Sequence, residues 1–123
     1  MKKVGVNKIG QFDYQQILAG DFQRVAYSFT LKAGQVYKLG SVIGLDAGGK
    51  GVLVGNDSVT DIFGILAEEV DATAEDQVAT VFLTGEFAQE RMIFGGTATA
   101  AGHWAAARNK SIFFKATSIR PNQ

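Results

Sequence analysis

The sequence predicts a mainly β fold, a small barrel-like domain with one short α-helix near the C-terminus and an extended N-terminal arm. Three observations carry this reading. Fifteen glycines punctuate 123 residues, whereas proline occurs once, at Pro121. The segments between glycines are short and rich in β-branched and aromatic residues, the pattern of many short strands. Only one stretch, the alanine-rich run 97–110, reads as a helix.

The elements follow in order. Residues 1–16 scatter Val4, Val6, Ile9, Phe12 and Tyr14 among polar residues with no helical period, and read as an extended arm with a short helical turn beginning at Tyr14 and reaching Leu18. Residues 17–123 then form a single β-rich domain. The run from Arg24 to Leu31 alternates in part and predicts a strand, closed by a turn at Lys32-Ala33-Gly34-Gln35. Residues 36–45 predict one strand kinked at Gly40, where glycine marks a bulge. Asp46-Ala47-Gly48-Gly49-Lys50-Gly51 reads as a hairpin loop, with Val52-Leu53-Val54 returning from it. A polar loop, 56–61, precedes two long strands, 62–70 and 78–87, joined by an acidic turn. A short strand is expected over 91–94, between Gly85 and Gly95-Gly96. In the helix, Thr97 or Thr99 supplies the N-cap, and Arg108 and Lys110 sit near the C-terminus, where cations favour the dipole. Ala100, Trp104 and Ala107 fall on one face, which makes Trp104 the expected anchor into the core. Residues 112–119 are the final strand.

Composition narrows the function. The chain has 12 basic and 12 acidic residues and a formal net charge of +0. It lacks the basic excess with which nucleic-acid binders neutralise phosphates. Near-zero charge also leaves self-association unopposed by long-range repulsion. There is no cysteine, which removes disulfides, thiolate nucleophiles and cysteine-based metal sites. The basic start has no apolar stretch behind it, and no segment is long enough to span a bilayer. The expectation is a protein made in the cytosol, with no membrane or nucleic-acid partner.

Candidate chemistry is sparse. Gly48-Gly49-Lys50-Gly51 lacks the Ser/Thr and the following helix of a phosphate loop, so the hairpin reading is preferred. Glu68, Glu69, Asp71, Glu75 and Asp76 form an acidic cluster without the glycine-turned loop of a calcium site, and read as a solvated turn. His103 is the only histidine and has no nucleophile or metal-ligand set beside it. Arg24, Lys32, Lys38 and Lys50 interleave with Tyr27, Phe29 and Tyr37, but nearby acids favour ordinary strand alternation over a single-strand-binding face. No catalytic, cofactor-binding or metal-binding residue is expected, and no enzyme.

Several blocks carry a family resemblance. Ile17-Leu18-Ala19-Gly20-Asp21-Phe22, Lys38-Leu39-Gly40-Ser41-Val42-Ile43-Gly44, the run from Gly64 to Ala72, and Val81-Phe82-Leu83-Thr84-Gly85-Glu86-Phe87 resemble, in order and spacing, the head decoration proteins of tailed bacteriophages and prophages, typified by lambda. The closing order of helix, basic pair and Ile-Phe strand fits as well. The resemblance spans about residues 12 to 119. It implies a β-tulip domain that assembles as a homotrimer on the outside of the expanded head and clamps copies of the major capsid protein against packaged-DNA pressure. It also implies an N-terminal arm that docks on the capsid, here Val4, Val6, Ile9, Phe12 and Tyr14. The lambda type has a longer, proline-containing arm, whereas this one has no proline and begins with a basic stretch. The implied location is the virion surface, after assembly in the host cytoplasm. Two other readings stand beside it. One is a tail or baseplate component, or an accessory β-barrel module of a larger enzyme. The other is a carbohydrate- or host-binding module in which Tyr14 and Tyr37 stack on sugars.

Overall fold

The computed structural model describes residues 15–116. Among the described residues there are nine strands: Ala26–Leu31 (β1), Val36–Tyr37 (β2), Val42–Leu45 (β3), Gly51–Leu53 (β4), Gly64–Leu66 (β5), Val70–Asp71 (β6), Gln77–Phe82 (β7), Gly85–Ala88 (β8) and Ile112–Lys115 (β9). One α-helix, Ala100–Arg108 (α1), and two 3-10 turns, Gln15–Ile17 and Gln89–Arg91, complete the described residues. Five strands close a barrel in the order β1-β4-β3-β5-β7, with β7 returning to β1. Two further pairs, β2-β6 and β8-β9, lie beside it.

Over parts of β3, β5 and β7 the barrel wall is buried on both faces, whereas the first half of β1 is exposed. Successive side chains of a strand point to opposite sides, so an adjacent apolar pair serves two cores. Ile43, Leu66 and Val81 point into the barrel with Leu31, Tyr37 and Ala79. Their neighbours Val42, Ile65 and Phe82 point outward into a second core with Ile17, Phe87, Ala107, Ile112 and Phe114. The β8-β9 pair and α1 roof this outer core. Strands covered on both sides read as continuous apolar runs rather than as alternation.

That double burial explains where the expected strands are cut. The predicted strand 36–45 is two elements in two sheets: β2 pairs with β6, whereas β3 pairs with β4 and β5. Gly40 is a break between sheets rather than a bulge. It has φ +90, and a Cβ there would stand 2.6 Å from the Arg91 carbonyl oxygen. The predicted strand 62–70 divides into β5 and β6, and 78–87 into β7 and β8, each change of sheet marked by a bend. Residues 91–94 supply the end of a 3-10 turn and one isolated bridge, Ser41↔Ile93, instead of a strand. The hairpin at 46–51 forms as read, with Leu45 opposite Gly51. The part of the predicted final strand at 117–119 lies outside the described residues.

The helix forms for the reason read from the sequence. Thr99 is extended, with φ −136 and ψ 160, and its side-chain oxygen accepts the Gly102 N–H at 3.1 Å. Arg108 occupies the last turn. Trp104, however, is not a core anchor: it is 44% exposed, and the one buried residue of α1 is Ala107. The helix packs on β9 with Ala107 in the outer core, and the indole lies at the rim of the contact. Its Nε1–H donates to the Phe114 carbonyl at 3.0 Å. Among the described residues β9 has β8 as its one strand partner, so Trp104 satisfies a main-chain acceptor on the other side of the strand.

Three outcomes are expected. Phe87→Ala, which deletes a fully buried ring stacked 6.0 Å from Phe82, lowers the unfolding free energy by about 3–5 kcal/mol in denaturant titrations. Trp104→Phe, which keeps a ring and removes the indole donor, costs only about 0.5–1.5 kcal/mol. The native emission of Trp104 lies to the red of a fully buried indole.

Candidate functional site

The functional question is how the N-terminal segment is attached, and residues 17–25 supply the geometry. Ile17 is buried in the outer core. Leu18 forms an antiparallel bridge with Phe87, and the Ala19 N–H donates to the Glu86 carbonyl at 2.9 Å. The segment thereby lies along the free edge of β8, opposite the edge that β9 occupies.

Glu86 then holds the next turn. Its Oε1 accepts the Phe22 N–H at 3.1 Å, and its Oε2 pairs with Lys115 Nζ at 3.4 Å. The Phe22 N–H holds the Glu86 carboxyl below its ordinary value, and Lys115 adds to the effect. A Cβ at Gly20 would meet this carboxylate, so a larger residue there would make the Glu86 side chain swing aside. The Phe22 ring meets Phe113 edge-on at 5.1 Å. Thr84 Oγ1 accepts the Val25 N–H at 3.1 Å and donates to the Gln23 carbonyl at 2.7 Å. The Leu83 N–H donates to the Val25 carbonyl at 2.7 Å, and the Arg24 guanidinium sits 5.9 Å from the Phe82 ring centre.

Two of the blocks that stood out in the sequence therefore meet in space. The run from Ile17 to Phe22 lies against Thr84-Gly85-Glu86-Phe87, and the second block supplies nearly every polar hold on the first. Sequence reading did not assign Thr84, Glu86 or Phe22 a role. The signal was the block itself, with a carboxylate beside a glycine in an otherwise apolar stretch. Of the expected arm residues, Val4, Val6, Ile9, Phe12 and Tyr14 lie outside the described residues.

The charged end of the barrel is organised differently. Lys32 pairs with Asp46 at 3.8 Å and with Asp57 at 3.7 Å, and Lys50 pairs with Asp76. Asp46 Oδ1 accepts the N–H groups of Gly48 and Lys50, which fixes the hairpin loop. The Lys50 N–H lowers the Asp46 carboxyl first, and the Lys50 side chain lowers Asp76. An open groove of about 320 Å³ is lined by Lys32, Gln35, Tyr37, Asn56 and Asp57 among others. Tyr37 is 1% exposed, its hydroxyl donating to the Lys32 carbonyl at 2.6 Å. Its ring has no free face for a sugar, which corrects the stacking role considered for it. Burial pushes its phenol up. Three of the four cations once considered for a nucleic-acid face are instead matched to carboxylates: Lys32 and Lys50 as above, and Lys38 with Glu69 at 3.9 Å. Among the described residues, no group of three or more His, Asp or Glu could hold a metal ion, and no helix is long and apolar enough to cross a membrane.

Comparison with known families matches residues 10–112 to the family described as bacteriophage lambda head decoration protein D. Comparison with curated proteins gave no match.

The Glu86 clasp has a defined pH sign. A carboxyl held below its ordinary value stabilises the fold above the unfolded-state pKa, and the contribution is lost as pH falls through the folded one. The Phe22 amide proton resonance therefore titrates below the ordinary glutamate range. In Glu86→Ala that titration disappears, while the barrel amides keep their shifts.

Proposed function

The chain belongs to the bacteriophage lambda head decoration protein D family, and from that premise we propose that it binds the expanded head as homotrimers and stabilises the shell against packaged-DNA pressure. Membership makes it a structural protein of the virion surface that decorates the capsid, not an enzyme. The trimer, the pressure-bearing role and the docking arm are the finer steps of the proposal.

The observation that supports it is the root at residues 17–25. Ile17 is buried and Leu18 is bridged to β8, so a pull on the preceding residues is delivered directly into the outer core. The proposed boundary follows: residues 1–16 are the docking arm, and 17–123 the domain that bears it. The arm's apolar residues, Val4, Val6, Ile9, Phe12 and Tyr14, are placed to add an extended segment to a sheet edge on the major capsid protein. Backbone hydrogen bonds would give affinity and alternate side chains fit. Many such weak contacts over one shell gain strength by multivalency.

Deletion of residues 2–12 tests the assignment. The expected product is folded and trimeric by sedimentation equilibrium, yet absent from expanded shells in electron micrographs. A truncated protein that unfolds, or falls to monomers, would assign the arm to the fold or to the trimer instead.

A further inference from the structure

The exposed side of α1 has the composition of a buried one. Ala101, Trp104, Ala105 and Arg108 are spaced i, i+3, i+4, i+7 and share one stripe. All four are exposed. A solvent-facing stripe ordinarily carries charged and polar residues; this one sets a half-exposed tryptophan among alanines and ends in an arginine. Tryptophan and arginine are enriched among the residues that dominate protein interfaces. Residues 97–115 contain Arg108, Lys110 and Lys115 and no acid. Lys115 is engaged by Glu86. Among the described residues, Arg108 and Lys110 form no ion pair.

A complementary surface lies on the same chain. Residues 46–76 hold eight acids against one lysine. Asp46, Asp57 and Asp76 are matched to Lys32 and Lys50. Glu69, Asp71 and Glu75 are exposed on β6 and its flanks, and among the described residues only Glu69 forms an ion pair, with Lys38 at 3.9 Å. Apolar surface accompanies them: Val36, paired with Asp71 across β2-β6, is exposed, and Val78, at the start of β7, is 68% exposed. Val70 and Ala72 pack into the barrel interior, whereas Ala107 of α1 packs into the outer core. The two faces thus belong to opposite sides of the barrel wall.

We propose that the α1 stripe docks on the β2-β6 acidic face of a second copy of this chain. The inference rests on the trimer proposed above and names the two faces that form it. In a closed ring of three, every interface joins two different faces of the chain. A neutral chain with a basic apolar face and an acidic apolar face meets that requirement without net repulsion. Trp104 supplies the central contact area, and Arg108 and Lys110 meet the carboxylates at the rim.

Sedimentation equilibrium on the full chain tests it. In the wild type, raising salt from about 50 to about 500 mM weakens association at least tenfold, because rim charges are screened. Ala105→Glu and Arg108→Glu each raise the dissociation constant at least tenfold, with unchanged circular dichroism. Glu69→Lys combined with Glu75→Lys does the same. Joining Arg108→Glu to those two lysine changes in one chain restores association, since each interface again pairs opposite charges. A wild-type monomer at every concentration would remove the trimer itself. A wild-type trimer indifferent to salt and to all these variants would overturn the docking faces and leave the trimer standing. Variants that stay trimeric but lose expanded shells would overturn the proposal by assigning the α1 stripe to the capsid. Ala105→Glu alters an exposed side chain, so it reads the interface even where Arg108→Glu disturbs the helix end.

Discussion

A barrel wall whose β3, β5 and β7 each carry a buried pair facing two cores is the constraint on which the rest of the molecule depends. Val42 and Ile43, Ile65 and Leu66, and Val81 and Phe82 are consecutive pairs whose members are all buried. Burying each such side chain contributes roughly 1.5–3 kcal/mol, but only if something covers both sides. The interior closes upon itself. The outer members need a roof, and β8, β9, α1 and Ile17 provide it. The opening segment and the C-terminal helix are therefore not appendages on a finished barrel, because without them half of each strand pair faces water.

The same constraint decided what could be read in advance. A mainly β fold, the hairpin at 46–51 and a helix capped by Thr97 or Thr99 were legible, since each depends on local chemistry. The cuts between strands were not. An apolar run such as Gly64-Ile65-Leu66-Ala67 has no alternation from which to phase it, and a change of partner sheet leaves no mark on the one-dimensional pattern beyond a glycine or a polar pair. Trp104 was misplaced for a related reason. Helical spacing put it on the face of Ala107, but spacing does not report how closely the helix approaches its neighbour. A contact made through alanine leaves a tryptophan at the rim, where the Phe114 carbonyl receives its N–H.

The root of the N-terminal segment was legible as motifs but not as a site. Ile17 to Phe22 and Thr84 to Phe87 are separated by more than sixty residues; the Phe22–Glu86 hydrogen bond alone spans 64. Neither block has a chemistry that points to the other. Glu86 is an unexceptional carboxylate until the fold places main-chain N–H groups and Lys115 around it, and Gly20 is an unexceptional glycine until that carboxylate occupies the space of its absent Cβ.

Strand β8 is also where the chain's opening and closing segments converge. Leu18 runs antiparallel to it on one edge and β9 runs parallel on the other, with Lys115 beside Ala88. Ile17 and Lys115 consequently both sit at the Ala88 end of the strand, so the polypeptide enters and departs at the same place. Such a layout favours circular permutation: a linker running from Lys115 to Ile17 would stay at one end of β8, and new ends opened in an exposed loop would preserve the pairings of that strand. It also means that cargo fused before Ile17 and cargo fused after Lys115 would be presented from one end of β8, not from opposite poles of the domain.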